Sequence, residues 1–170
     1  IRLYSEVLNG SNAVPSQTRA ATLLAHKKDD LQGALGLLDE FAEASQPNAV
    51  VVLSAMAQLL ASVVKYDVAV KLYDKVTSYH PDEERAALGR SVLLLRMGRL
   101  DEALDSYADA AKRWPKSAMA LNAYGYTLAD RTDRYREAEK LIRKALRYDP
   151  TSPAIIDSLG WVLFKLERYE

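Results

Sequence analysis

The sequence predicts an all-α fold, a solenoid in which antiparallel helix pairs stack one upon another. The first observation is a ladder of prolines: Pro47, Pro81 and Pro115 stand 34 residues apart, and Pro150 follows after 35. A fixed period of this length is typical of proteins that stack helical hairpins. The second observation is that each proline follows an alanine-rich amphipathic segment. Because proline lacks an N–H and its ring clashes with the preceding turn, it would end each of those helices.

One pattern of large and small residues recurs between the prolines. The fourth pair shows it in the order Leu121, Tyr124, Gly125, Leu128, Ala138, Ile142, Ala145 and Pro150. Small residues would let the two helices of a pair approach closely, because a larger side chain would overpack the crossing. On the first helices these small residues are Ala57, Ser91, Gly125 and Gly160, and on the second helices they are Ala69, Ala103 and Ala138.

The prolines and the small residues set the limits of the predicted elements. Four helix pairs would occupy 15–47, 48–81, 82–115 and 116–150, between a leading helix in 1–9 and the first helix of a fifth pair in 152–170. Residues 1–170 would thus form a single solenoid of about ten helices. The extra residue of the fourth pair is expected in the turn Arg131–Arg134, where an insertion costs little because the loop is exposed. Since the chain begins at Ile1 and stops in mid-motif, we expect it to be part of a longer protein.

The amino-acid composition limits the classes of partner that we expect the chain to bind. Lysine plus arginine number 23 and aspartate plus glutamate number 23, so the chain has no broad attraction to nucleic acid or to an anionic membrane. Cysteine is absent, which excludes disulfides and thiolate metal sites. The longest apolar runs, such as Ala49–Ala57, are far shorter than the ~20 residues that a membrane-spanning helix needs. We therefore expect neither nucleic-acid binding nor direct membrane insertion.

Catalytic and metal-binding patterns are weak in this sequence. His80 with Asp82, Glu83 and Glu84 could be drawn as a metal site, but these residues lie between two predicted helices. The acids there suit the start of the next helix, and this interpretation is favoured. The sequence has no glycine-rich phosphate loop and no serine elbow. It therefore predicts a non-enzymatic protein with no cofactor and no metal.

The repeat pattern covers nearly the whole chain and resembles that of the tetratricopeptide repeat family. The resemblance implies a right-handed superhelical solenoid that acts as a scaffold or adaptor for protein or peptide partners. Two distinctive runs, 123–135 and 153–163, are similar to a group of bacterial tetratricopeptide proteins associated with the cell envelope. This narrower resemblance covers only 122–170. It implies a location in the bacterial periplasm or at the outer membrane, with the cytoplasm as the alternative.

The resemblance also implies that partners bind in a concave groove formed mainly by the first helices of the pairs. Side chains one helical turn apart share one wall of such a groove. The register set by Gly125 and Gly160 directs inward Asn122, Tyr126, Asp130, Asp157, Trp161, Phe164 and Lys165. Earlier pairs would contribute Arg85, Leu88, Val92, Leu95 and Arg96, and before them Ser54, Gln58, Ala61 and Ser62. An amide or carboxylate can hold a peptide backbone while an aromatic ring packs on a side chain.

Other interpretations of the same residues stay open. Tyr126 and Trp161 could pack between neighbouring repeats, with Asn122 and Asp157 solvated. The segment Trp161–Leu166 could pair with a second copy of the chain to form a homo-oligomer. The chain could also be the regulatory arm of an enzyme whose catalytic domain lies outside it.

One familiar binding mode is not expected. Chaperone-type tetratricopeptide domains hold an acidic C-terminal carboxylate with lysine, asparagine and arginine on successive first helices. The comparable positions here are Ser54, Gln58, Leu88, Val92, Asn122 and Tyr126. Because the cationic side chains of that clamp are missing, recognition of an acidic tail is not predicted.

Overall fold

A computed structural model describes residues 49–62 and 65–167, together with positions 16, 18–21, 23–24, 30, 32–33 and 36–37. Every element whose bounds are defined is a helix: α1 Ala49–Ser62, α2 Tyr66–Tyr79, α3 Glu84–Arg96, α4 Leu100–Arg113, α5 Ala118–Arg131, α6 Tyr135–Tyr148 and α7 Pro153–Lys165. The all-α prediction is confirmed. The described part of the chain holds seven bounded helices, fewer than the expected ten, and the predicted leading helix at 1–9 lies outside it.

The proline ladder coincides with helix ends. Pro81, Pro115 and Pro150 each follow the last residue of α2, α4 and α6 by two positions. The residue between helix and proline donates its backbone N–H to the carbonyl four residues earlier, at 2.8 to 3.0 Å. The next amide in the chain belongs to proline and cannot donate, so the helix stops there. Pro47 lies outside the described residues.

The chain divides into two compact units, residues 1–86 and 87–170. In the first unit α1 packs against α2. The buried side chains at this contact are Ala57, Leu59, Leu60, Ala69, Val70, Tyr73 and Val76. Ala57 and Ala69 are fully buried, in agreement with a close crossing of the two helices.

In the second unit α5 packs against α4 and α6, and α7 packs against both α5 and α6. The largest fully buried side chains of its core are Leu94, Leu121, Leu128, Ile142 and Val162. Leu88, which the sequence predicted to face a groove, is instead 7% exposed and belongs to this core. The cluster that surrounds it is apolar, and a leucine gains more free energy from burial there than from lining an open surface.

Gly125 marks the closest approach of α5 to α6. A Cβ at this position would lie 2.8 Å from Ile142 Cγ1 and 3.1 Å from the Ala138 carbonyl oxygen. The expected role of a small residue is therefore seen directly. Gly160, the corresponding residue of α7, is exposed, and no described atom lies within 4 Å of a Cβ built there. Within 87–167, no second helix packs on that face of α7.

The extra residue of the fourth pair lies at the end of a helix and not in a turn. Three residues join α3 to α4, and three join α5 to α6, while α5 has 14 residues where α3 has 13. Gly98, at φ 74°, ends α3. After α5 the chain is extended at Thr132, whose hydroxyl donates to the Leu128 carbonyl at 2.6 Å and accepts from the Arg134 N–H at 3.1 Å. Without a glycine to adopt positive φ, the chain ends α5 one residue later with a side-chain cap.

Candidate functional site

A cleft of about 500 Å³ lies between α5 and α7 in the second unit. Its lining residues are Tyr126, Asp130, Asp157, Gly160, Trp161 and Phe164. Tyr126 and Asp130 lie one helical turn apart on α5, and Asp157 and Trp161 are separated by the same interval on α7. Two parallel strips, each with one aromatic ring and one carboxylate, therefore face a shared space.

The aromatic rings are more exposed than a core would allow. Tyr126 is 41% exposed and Phe164 is 55% exposed. The rings of Trp161 and Phe164 stack, with centroids 5.7 Å apart and planes 17° from parallel. Lys165 Nζ lies 4.8 Å from the centroid of the Trp161 ring and 6.0 Å from that of Tyr135. Trp161 thus already binds one cation of its own helix.

Both charged groups that line the cleft are carboxylates. Asp130 Oδ2 lies 2.7 Å from Arg131 Nε, and the Asp130 side chain is 28% exposed. Asp157 is exposed, and it has neither an ion pair nor a hydrogen bond with any described residue. Neither Lys165 nor Arg131 belongs to the lining. The cleft is therefore negative, with one carboxylate compensated and the other uncompensated.

Two buried polar atoms near the cleft have no hydrogen-bond partner among the described residues. They are Trp161 Nε1, a donor, and Asn122 Oδ1, an acceptor one turn before Tyr126 on α5. A buried polar atom that stays unpaired costs free energy, so such atoms are uncommon in folded proteins. Asn122 is half-buried whereas Asp157 is exposed. The two positions differ because α7 packs against the helix that carries Asn122, whereas no described helix that follows α7 packs against it.

The structure brings together five of the seven residues of α5 and α7 that the sequence register directs inward. These five are Tyr126, Asp130, Asp157, Trp161 and Phe164. Lys165 contacts the Trp161 ring from outside the lining, and Asn122 is turned into the protein. Arg96 is exposed on α3 but does not line this cleft. The sequence interpretation missed Gly160 as a lining residue, because it treated that glycine only as a packing position.

Arg85 lies in the first unit, where it lines a separate cleft of about 240 Å³. The other lining residues are Thr18, Val51, Ser54, Ala55, Gln58, Tyr73 and Glu83. Ser54 and Gln58 had been predicted to face inward. Burial raises the pKa of Tyr73, and a hydrogen bond with Gln58 acts in the opposite direction. This smaller cleft has no exposed cluster of aromatic rings.

Neither a metal site nor a membrane span is found in the described part of the chain. Within those ranges, no three potential metal-ligating side chains converge, and His80 serves as the C-cap of α2 through its backbone N–H. None of the described helices has the length and apolar character needed to cross a bilayer. The other histidine of the chain, His26, lies outside the described residues.

Comparison with known proteins identifies the repeat. A family model described as tetratricopeptide repeat matches residues 54–118 and 93–153. A TPR repeat-containing protein of Pseudomonas aeruginosa is 34% identical over 163 residues, which are 95% of this chain and 27% of that protein. The chain therefore spans about a quarter of the length of this curated relative.

Solved structures show the same fold at lower identity. MamA of Desulfovibrio magneticus, from residue 41 to its end, is 22% identical with a TM-score of 0.63, covering 94% of this chain and 88% of that one. The first TPR domain of Spaghetti (RPAP3), bound to the HSP90 peptide SRMEEVD, is 19% identical with a TM-score of 0.61, covering 69% and 93%. The family model matches more than half of the chain, which therefore belongs to the tetratricopeptide repeat family and has the fold of a protein–protein interaction scaffold.

Proposed function

We propose that this chain binds an extended segment of a protein partner in the cleft between α5 and α7. The observation that carries the proposal is that the exposed rings of Tyr126 and Phe164 lie with Trp161 around one cleft. The other exposed large apolar side chains of this unit lie outside the lining; they are Val92, Met119, Tyr148 and Ile156. Contiguous exposed aromatic surface with a polar rim is typical of an interaction site. The proposed role is that of a non-enzymatic scaffold or adaptor.

The dimensions of the cleft favour a peptide segment over a folded surface. A volume of about 500 Å³ falls in the range of sites that enclose a small ligand or a few side chains. Aromatic rings supply contact area at a low cost in conformational entropy, and the carboxylates can accept hydrogen bonds from backbone N–H groups. The two strips on α5 and α7 can contact successive side chains of one extended segment.

An acidic segment fits this cleft poorly. Asp130 and Asp157 would repel it, and the cationic clamp expected of chaperone-type domains has no counterpart in the lining. The peptide bound by the Spaghetti domain, SRMEEVD, contains three acidic residues, one of them at its C-terminus. We propose that this chain uses a different mode of recognition.

We also propose how the chain divides into repeats and in which cellular process it acts. We propose that 48–81, 82–115 and 116–150 each form one repeat, and that Pro153–Lys165 opens the next. A role in assembly of the bacterial cell envelope is the setting that the resemblance of 122–170 implies. The relative in Pseudomonas aeruginosa supports a bacterial origin.

The proposed function is tested with a displayed library of random peptides. We expect the protein to enrich a family of related peptides, and the double substitution Tyr126→Ala with Trp161→Ala to abolish their binding because it removes two walls of the cleft. Tyr148→Ala is the matched control, since Tyr148 is 46% exposed on α6 outside the cleft. Circular dichroism is the control that checks whether each variant keeps its helices. Enrichment that survives the double substitution would show that the peptides bind elsewhere.

Homo-oligomerisation is the second candidate function. The observation that favours it is the uncovered face of α7, where no other described helix lies within 4 Å of a Cβ built at Gly160 and Ile156 is 52% exposed. A helix from a second copy could pack there as α6 packs on Gly125 in the same unit. Sedimentation equilibrium over a wide concentration range tests this, and Gly160→Leu should weaken a dimer by filling the face. A monomer at all concentrations would remove this candidate.

A further inference from the structure

We infer that the cleft between α5 and α7 selects a positively charged side chain, the guanidinium of arginine or the ammonium of lysine, within the bound segment. The inference rests on the proposed function, since it concerns what the same cleft recognises. It follows from three features of the lining: its uncompensated charge, its aromatic faces and its accessibility.

The charge of the lining is the first feature. Asp157 is exposed and has no ion pair or hydrogen bond with a described residue, so its carboxylate is available to a ligand. Asp130 is paired with Arg131 through one carboxylate oxygen, Oδ2, and its side chain is 28% exposed. Its other oxygen can accept a hydrogen bond. Two carboxylates and no cation line the cleft. A cationic side chain would form charge-assisted hydrogen bonds here, which are stronger than neutral ones.

The aromatic faces are the second feature. Tryptophan is the aromatic side chain that attracts cations most strongly, and tyrosine and phenylalanine also do so. Lys165 Nζ, at 4.8 Å from the Trp161 centroid, shows that a cation can approach this ring. Tyr126 is 41% exposed, and its ring has no contact with another ring or a cation among the described residues. Its face is therefore available to an incoming cation.

The third feature is that the cleft is open to an incoming side chain. A cluster of ion pairs with a purely structural role would have no such opening. Gly160 leaves open space beside the rings, because no described atom lies within 4 Å of a Cβ built there. A long, flexible side chain such as arginine or lysine could enter between Tyr126 and Trp161 and bring its charged end to Asp157. Its methylene groups would pack on the rings, while the charge would stay at the solvated rim.

The experiment compares peptides that differ in one charge. The probe is the strongest peptide from the displayed library, synthesised with arginine, lysine, citrulline or glutamate at the position that the selection conserves. Citrulline keeps the shape of arginine but is neutral. We expect calorimetry to show arginine and lysine peptides binding on the order of tenfold more tightly than the citrulline peptide, with the glutamate peptide weakest.

Variants of the protein assign the charge effect to the cleft. Asp157→Asn should remove most of the difference between arginine and citrulline peptides, while the control Asp105→Asn, an exposed carboxylate on α4, should leave it unchanged. The chain has two tryptophans, so in a Trp114→Phe background the emission of Trp161 reports on the cleft alone. We expect the arginine peptide to change that emission.

The outcomes are distinguishable from failure of the proposed function. If no peptide binding depends on Tyr126 and Trp161, the proposed function is wrong and the inference falls with it. If a peptide binds in the cleft, but its citrulline and arginine forms bind equally or Asp157→Asn has no effect on their ratio, the charge selection is overturned while peptide binding stands.

Discussion

The phenols of Tyr73 and Tyr107 are buried, at 5% and 3% exposure. Burial raises the pKa of both, and hydrogen bonds with Gln58 and Thr127 respectively oppose that shift. Both tyrosines occupy the bulky position of the second helix in their pair, as Ile142 does in the fourth. The repeat pattern predicted a bulky residue there, but it could not indicate how far water is excluded from the phenol.

Tyr107 makes stability depend on alkaline pH. Because the folded state holds the neutral phenol and its pKa lies above the unfolded value of about 10, the contribution is full below about pH 10 and is lost as pH rises further. We expect the free energy of unfolding in urea to fall as the pH rises above about 10, and to fall less steeply in Tyr107→Phe. Tyr73 should account for part of the remaining slope. Identical slopes for the wild type and the variant would contradict this account.

At the scale of the helix pair, the sequence pattern predicted the closest contacts well. Ala69, Ala103 and Ala138 are fully buried on second helices, and Ser91 and Ala57 are fully buried on first helices. The pattern did not predict helix ends that depend on local backbone conformation. The extra residue near Arg131 joins α5 because Thr132 caps the helix with its side chain, and periodicity alone does not register such a cap.

Gly125 and Gly160 offer a matched test of helix packing. Gly125→Ala should destabilise the protein by about 1–2 kcal/mol, because overpacking at a crossing costs about 1–3 kcal/mol and the gain in helix propensity returns only part of it. Its Cβ would lie 2.8 Å from Ile142 Cγ1 and 3.1 Å from a backbone oxygen, which cannot easily move. Gly160→Ala should instead stabilise by about 0.5–1 kcal/mol, since no described atom opposes it. Urea unfolding measures both, and effects of the same sign would show that the two glycines do not differ as described.

At the scale of the molecule, the 34-residue period was enough to predict an all-α repeat protein and to set the register of its first helices. That register alone assigned Tyr126, Asp130, Asp157 and Trp161 to strips on one wall. It could not predict that the side-chain oxygen of Asn122 would be buried, that Leu88 would join a core or that Gly160 would line the cleft. These outcomes depend on which helices cover one another, and a repeat pattern treats every unit alike.

The central claim is that a protein segment binds between α5 and α7. Its most direct test is calorimetric titration of a library-selected peptide into the wild type, Tyr126→Ala with Trp161→Ala, and Tyr148→Ala. We predict that the double substitution weakens binding by at least on the order of tenfold, as expected when two aromatic contacts are removed, while Tyr148→Ala binds like the wild type. Equal affinity of all three proteins, with their helical circular dichroism intact, would contradict the claim.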